Sequence, residues 1–154
     1  MSKATRADAC ALLGAFLGED EHYRASAASY GDGGVPALTR ALDLFLARPD
    51  LGLVWLAQTP RDGSFQTVGA CVACYAISTS RGSLVVKLDD VTIAADWRGR
   101  GVGHAMLVSL FQHLRAQEVT RVDCGCHRAN AGAWRFYARM GFQPLDEERI
   151  AMLL

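Results

Sequence analysis

The stretch that most restricts what this chain can become runs from residue 88 to residue 117. An apolar, strand-like run at 88–94 leads into Arg98-Gly99-Arg100-Gly101-Val102-Gly103 and then straight into an amphipathic helical pattern. Glycines at 99, 101 and 103 permit positive φ and let a ligand come close to the main chain. A helix starting there offers N–H groups without intrahelical acceptors, together with the positive end of its dipole, which suits a phosphate. Arg98 and Arg100 add fixed positive charge. A tight strand-to-helix turn is the plainer reading of three glycines, but it does not call for two interleaved arginines. Two familiar phosphate motifs are excluded. G-x-G-x-x-G fails because its last position falls on His104 or Met106, and the P-loop fails because the chain has no Gly-Lys pair.

The remaining pattern predicts an α/β (α+β) domain around this turn. Residues 5–18 read as a helix with Leu12, Leu13, Phe16 and Leu17 on one stripe, ending in the acidic run Glu19-Asp20-Glu21. Glycines at 31, 33 and 34 precede a second helix from Pro36 through Leu46, which Pro49 stops. Strands follow at 51–58, 67–79 and 84–94, joined by turn-rich segments at 59–64 and 80–83, which predicts an antiparallel meander. The helix at 102–117 carries Val102, Met106, Leu110 and Leu114 at intervals of four. A strand at 119–126 after it favours parallel pairing, because strand–helix–strand links of this kind do. A last helix spans 131–140 and stops at Gly141, and 142–145 and 150–154 read as closing strands. The expected product is a mixed, mostly antiparallel central sheet with helices on both faces.

Size and composition set outer limits. At 154 residues the chain fits one domain, 1–154, and needs neither disulfide nor metal to fold. Sixteen basic residues balance sixteen acidic ones, which argues against nucleic acid as the main partner. No apolar run approaches the roughly 20 residues of a membrane span, and the short apolar run at 9–18 is hemmed by acidic residues unlike a secretory leader. Five cysteines without a regular framework suit a reducing cytoplasm. Cys71 and Cys74 lie three apart on a strand, so they point to opposite faces and are expected to be buried small hydrophobes, with no metal site.

Two segments together resemble the GNAT superfamily of N-acetyltransferases. Arg98-Gly-Arg-Gly101-Val-Gly103 resembles its acetyl-CoA signature, Arg/Gln-x-x-Gly-x-Gly/Ala. Asn130-Ala-Gly-Ala133-Trp-Arg-Phe136-Tyr137-Ala-Arg-Met-Gly141-Phe142 resembles its second signature, Asn-x-x-Ala-x-x-Phe-Tyr-x-x-x-Gly-Phe. The likeness covers about residues 67–145, with Asp89-Asp90-Val-Thr-Ile93 similar to the family's central strand. Members usually open with a strand before the first helix, and here only residues 1–5 are left to form one.

The resemblance implies acetyl transfer from acetyl-CoA to a primary amine by direct attack, with coenzyme A as product. It implies that main-chain groups of Gly99, Arg100, Gly101, Val102, Gly103 and His104, with Arg98, hold the diphosphate. Val91, Thr92 and Ile93 would pair with the pantetheine arm, the Ile93 N–H polarising the thioester carbonyl. Asn130 and Ala133 would meet the cofactor arm, although Asn130 also suits a helix N-cap. Tyr137 is the expected acid for the leaving thiolate, since a phenol stays protonated at neutral pH; packing in the core is its plainer role. Asp89 is the expected base acting through water, because alternation puts it on the face of Val91 and Ile93; a solvated charge or an amine-binding group is the other reading.

Asp89, Asp90, Glu19, Asp20, Glu21, Glu147 and Glu148 can form an acidic rim around an amine. The Asp-Asp strand and acidic loop are loosely similar to spermidine/spermine N-acetyltransferases, implying a small cationic amine as substrate. A protein or peptide amine is the next alternative, and a GNAT-like domain that binds CoA without turnover is a third. The apolar run Ile150-Ala-Met-Leu-Leu154 fits either a buried closing strand or a homodimer contact.

Overall fold

The computed structural model describes residues 1–145, apart from the side chains at positions 26, 28 and 30. In chain order these residues form α1 (Arg6–Glu19), α2 (Glu21–Tyr30), α3 (Gly34–Ala47), β1 (Gly52–Arg61), β2 (Ser64–Ser78) and β3 (Ser83–Ile93). A 3₁₀ turn at Ala95–Trp97 then leads to α4 (Val102–Ala116), β4 (Arg121–Cys124) and α5 (Ala131–Arg139). The sheet order is β1-β2-β3-β4. The first three strands are antiparallel, and β3 and β4 are parallel, as the helical crossover requires.

Alternation along the strands splits the core between the two faces of the sheet. Cys71 and Ala73 of β2, Val86 and Leu88 of β3 and Met106, Leu107, Leu110 and Leu114 of α4 form one buried cluster. Ala70 and Val72 of β2 and Val54 of β1 pack on the other face against Ala9 and Leu13 of α1 and Leu38 and Leu42 of α3. Cys71 belongs to the first cluster and Cys74 borders the second, so the two thiols do point to opposite faces. No described helix is long and apolar enough to cross a membrane.

Several elements differ from the sequence expectation. The acidic run at 19–21 does not simply end α1. The Asp20 carboxylate accepts from the Tyr23 N–H at 2.8 Å and caps α2, where Glu21 sits in a first turn that favours negative charge. The 59–64 loop contracts to a two-residue turn, Asp62-Gly63, with φ of 47° and 76°. Both strands run through the rest, and Pro60 is tolerated because β1 is an edge strand. β4 is only four residues long, and 142–145 carry no strand. The predicted strand at 150–154 and the pair Glu147-Glu148 lie outside the described residues. No strand precedes α1 among the described residues; instead the terminal ammonium of Met1 donates to the Val54 carbonyl on β1.

Candidate active site

Glycine geometry builds the entrance to α4. Gly99 and Gly101 have φ of 70° and 79°, and Gly101 is the N-cap of α4 in the left-handed region. A Cβ added at either would meet nothing within 4 Å, so the space before the first-turn amides is open. Those amides have no intrahelical acceptor, and the first turn of α4 carries no acidic residue. Gly103 contributes differently. A Cβ there would meet Ile93 and Phe136 at 3.5 and 3.6 Å, ordinary contact distances, so this position faces the packing of α4 on β3 and α5 rather than open space. Arg98 folds back, its Nε donating to the Ile93 carbonyl at 2.9 Å, and Arg100 lies over the Trp97 ring at 5.5 Å. His104 is exposed on the first turn.

Below this entrance the sheet forks. β3 and β4 pair from Val85↔Arg121 to Leu88↔Cys124 and no further, while β3 continues to Ile93. The register with β2 breaks at the same place: Cys71 faces Val91 but Ala73 faces Leu88, so Asp89 and Asp90 oppose the single residue Val72. This bulge bends β3 away from β4. The Ala94 N–H bonds to the Val68 carbonyl. Alternation then directs Thr92 to β2, and the N–H and C=O of Val91 and Ile93 to the open side. The result is a slot leading from the α4 entrance to the end of β4, along a β3 edge on which no strand pairs among the described residues and whose Ile93 carbonyl accepts from Arg98.

The bulge corrects the reading of Asp89. Leu88, Val91 and Ile93 all pack on the α4 side, so simple alternation fails between them and Asp89 does not share the face of Val91 and Ile93 by that rule. Asp89 is exposed and bonded to the Lys87 ammonium at 2.7 Å. Asp90 is the more deeply set member of the pair. Burial first, then the neighbouring charge of Asp89, pushes its carboxyl up to about 6, with Lys87 opposing. The apolar positions 86, 88, 91 and 93 already carried this change of parity, which is the signal sequence reading passed over.

The sign of that shift yields a test. Between pH 4 and 6 the folded chain holds the Asp90 proton more tightly than the unfolded chain, so stability falls as pH rises through that window. Asp90→Asn removes the cost of burying a carboxylate and is expected to stabilise the fold at pH 8 by on the order of 2 kcal/mol. At pH 4 the gain should largely vanish. Thermal melts at both values check this, and equal shifts at both would assign the effect to packing.

At the closed end of the fork stand Tyr137 and Cys124. The Tyr137 ring is boxed edge-on by Phe136 and Phe142, each with centroids at 5.3 Å. The Cys124 side chain is its neighbour at the end of β4, with Sγ donating to the Gly125 carbonyl at 3.5 Å. Burial drives the phenol well above its ordinary range, and pushes the Cys124 thiol up to about 11 against the opposing effect of the neighbouring Tyr137. Asn130 caps α5, accepting from the Ala133 N–H at 3.0 Å, so both residues are committed to forming that helix. On the α1 face, a cavity of about 380 Å³ is lined by Phe16, Glu19, Asp20, Glu21, Thr92, Ile93 and Arg98 among others. It reaches the same β3 segment that borders the slot. A second cavity, of about 360 Å³, lies between β1 and α4 beside Trp55 and Trp97 and does not include the open edge.

Residues 20–142 match the model of the acetyltransferase (GNAT) family. The chain belongs to that family. It is 30% identical over 100 residues to an uncharacterised N-acetyltransferase of Methanocaldococcus jannaschii, covering 60% of this chain and 44% of that one. The chain thus spans less than half the length of that curated relative. Among solved structures, a probable acetyltransferase superposes with TM-score 0.78 at 19% identity, over 100% of this chain and 94% of that one. An integron cassette protein from the Cole Harbour salt marsh metagenome gives 0.76 at 23%, over 100% and 88%. AAC(6')-Iy, in complex with a CoA-linked bisubstrate analogue of acetylneamine, gives 0.75 at 15%, over 100% and 95%. At such identities these structures establish the fold, a mixed sheet with helices on both faces.

The fold gathers the glycine entrance, the 91–93 segment of β3 and Tyr137 around one slot. Sequence reading missed α2, the deeper setting of Asp90 and the setting of Tyr137 beside Cys124.

Proposed function

We propose that this GNAT chain moves the acetyl group of acetyl-CoA onto the primary amine of a small cationic molecule, by direct attack in a ternary complex. One observation carries the reading. The open α4 N-terminus feeds a slot whose wall is the stretch of β3 beyond its pairing with β4 and whose end is Tyr137. This shape fits a diphosphate followed by an extended amide-bearing arm: the first-turn amides of α4 meet the anion, and Val91 and Ile93 offer strand-like pairing to the arm.

Acetyl-CoA supplies an activated acyl group and a sulfur leaving group. The chain supplies position and charge. The Ile93 N–H, aimed into the slot, is the donor for charge developing on the acyl oxygen. The Tyr137 Oη holds the proton for the leaving sulfur. For the base, Asp90 is better suited than Asp89: it is more deeply set and titrates near 6, while Asp89 is tied to Lys87 at the surface. The cavity on the α1 face delivers the amine, with Glu19 and Glu21 lending negative charge and Phe16 an apolar wall. The fold-mate AAC(6')-Iy, in complex with a CoA-linked analogue of acetylneamine, supports a CoA thioester and an amine as the reacting pair.

Calorimetric titration with CoA, followed by thiol release across polyamines, aminoglycosides, a free-N-terminus peptide and a lysine peptide, tests the proposal. CoA binding with turnover of a small polycation is expected. Turnover of peptides alone would replace the acceptor class, binding without any turnover would mark a sensor, and absence of binding would end the reading.

A further inference from the structure

We infer that the Thr92 hydroxyl is the contact that holds the reacting amine nitrogen, on the β3 wall of the cavity beneath α1. The inference rests on the acetyl transfer to an amine proposed above.

Three observations meet at Thr92. Its main chain pairs with β2 opposite Ala70, and Ala70 packs on the α1 face of the sheet, so the Thr92 side chain stands on that face too. There it lines the cavity of about 380 Å³ together with Leu12, Phe16 and Glu19. Thr92 is only 5% exposed, yet its hydroxyl has no hydrogen-bond partner among the described residues. Ser78, the other buried polar side chain among them, bonds to the Ser80 hydroxyl at 3.2 Å. No fully sealed side-chain oxygen or nitrogen of the described residues lacks a partner, so the Thr92 oxygen keeps an opening, and the cavity is the space it borders. A hydroxyl buried without a partner costs folding free energy unless something arrives to bond it.

A threonine hydroxyl has one O–H to donate and lone pairs with which to accept. A neutral primary amine brings two N–H groups and the lone pair that attacks. Accepting one N–H at Thr92 leaves that lone pair free. It also ties the nitrogen to the residue next to Ile93, whose N–H is the proposed donor to the acyl oxygen. A carboxylate at this position would favour the ammonium, which cannot attack; a neutral hydroxyl does not. Glu19 and Glu21, at the junction of α1 and α2, remain for a second charge on the same molecule. Recognition then has two points, the reacting nitrogen at Thr92 and the distal cation at the acidic pair.

Thr92→Val, close in shape but without the hydroxyl, tests this with putrescine and spermidine as acceptors. KM for both amines is expected to rise about fivefold, the worth of one hydrogen bond, with kcat and the calorimetric affinity for CoA within about twofold. Thr92→Ser should keep KM within about twofold of the wild type. Because the hydroxyl has no partner in the fold, the Tm of ligand-free Thr92→Val should equal or exceed that of the wild type. An unchanged KM, an effect confined to spermidine, or a lowered Tm would each overturn the inference, by showing no contact, a contact at the distal cation, or a structural hydroxyl. A wild-type protein that turns over no amine would instead sink the acetyl-transfer reading, and this inference with it. Turnover of a lysine peptide in place of polyamines would change the acceptor class alone, and the same fivefold rise in KM is then expected for the peptide.

Discussion

Gly101→Val is expected to weaken coenzyme A binding by at least about a hundredfold, or about 2.7 kcal/mol, in a calorimetric titration. The chain would still fold. Gly101 sits at φ 79° as the N-cap of α4, and a Cβ there meets no atom within 4 Å, so no clash forbids the larger residue. The harm arises in two other ways. A β-branched residue in the left-handed region costs about 1–3 kcal/mol, which strains the turn or rotates it out of shape. The isopropyl group also occupies the vacant approach to the first-turn amides of α4, the space an anion needs. Gly103→Ala is the contrast, since its new methyl would lie at ordinary contact distance from Ile93 and Phe136 and should leave affinity within severalfold. Wild-type affinity in Gly101→Val would place the diphosphate elsewhere, and with it the orientation of the whole slot.

The contrast between these two glycines shows what a sequence can and cannot carry. That Gly99, Gly101 and Gly103 form an entrance to a helix follows from local chemistry, because each permission or dipole belongs to a few consecutive residues. That Gly103 serves packing and Gly101 serves the opening depends on Ile93 and Phe136, which only the tertiary fold brings there. α2 was hidden for a related reason. Its residues show no clear apolar stripe, and Asp20 declares itself as a cap only once α1 is seen to end one residue earlier. The bulge at Asp89-Asp90 was legible in principle, as a slip from even to odd apolar positions along β3. Reading alternation backwards from Val91 concealed it, and with it the deeper setting of Asp90. The nearness of Tyr137 and Cys124 joins two elements thirteen positions apart and leaves no periodic trace in the chain.

Tyr137→Phe is expected to lower kcat by at least about tenfold while leaving affinity for coenzyme A within about twofold. Phenylalanine keeps the edge-on packing with Phe136 and Phe142, so the wall of the slot survives and only the hydroxyl is lost. Binding should therefore be spared. The size of the catalytic loss follows from the phenol's environment. Burial raises its pKa well above the ordinary range, so the proton is present at every pH at which the protein works, but full transfer would leave a buried phenolate. Tyr137 therefore passes its proton to the departing sulfur only as it recovers one from the newly acylated nitrogen, so that no buried phenolate persists. A donor of that kind contributes a strong, charge-assisted hydrogen bond, on the order of 1.5–3 kcal/mol, rather than the whole of acid catalysis. The same logic fixes the pH profile. Wild-type kcat should show no alkaline fall near pH 10 from Tyr137, and the acid limb near pH 6 that Asp90 would impose should persist unchanged in Tyr137→Phe. If kcat in Tyr137→Phe matches the wild type, the hydroxyl has no part in the reaction, and Tyr137 is a core aromatic packed between Phe136 and Phe142.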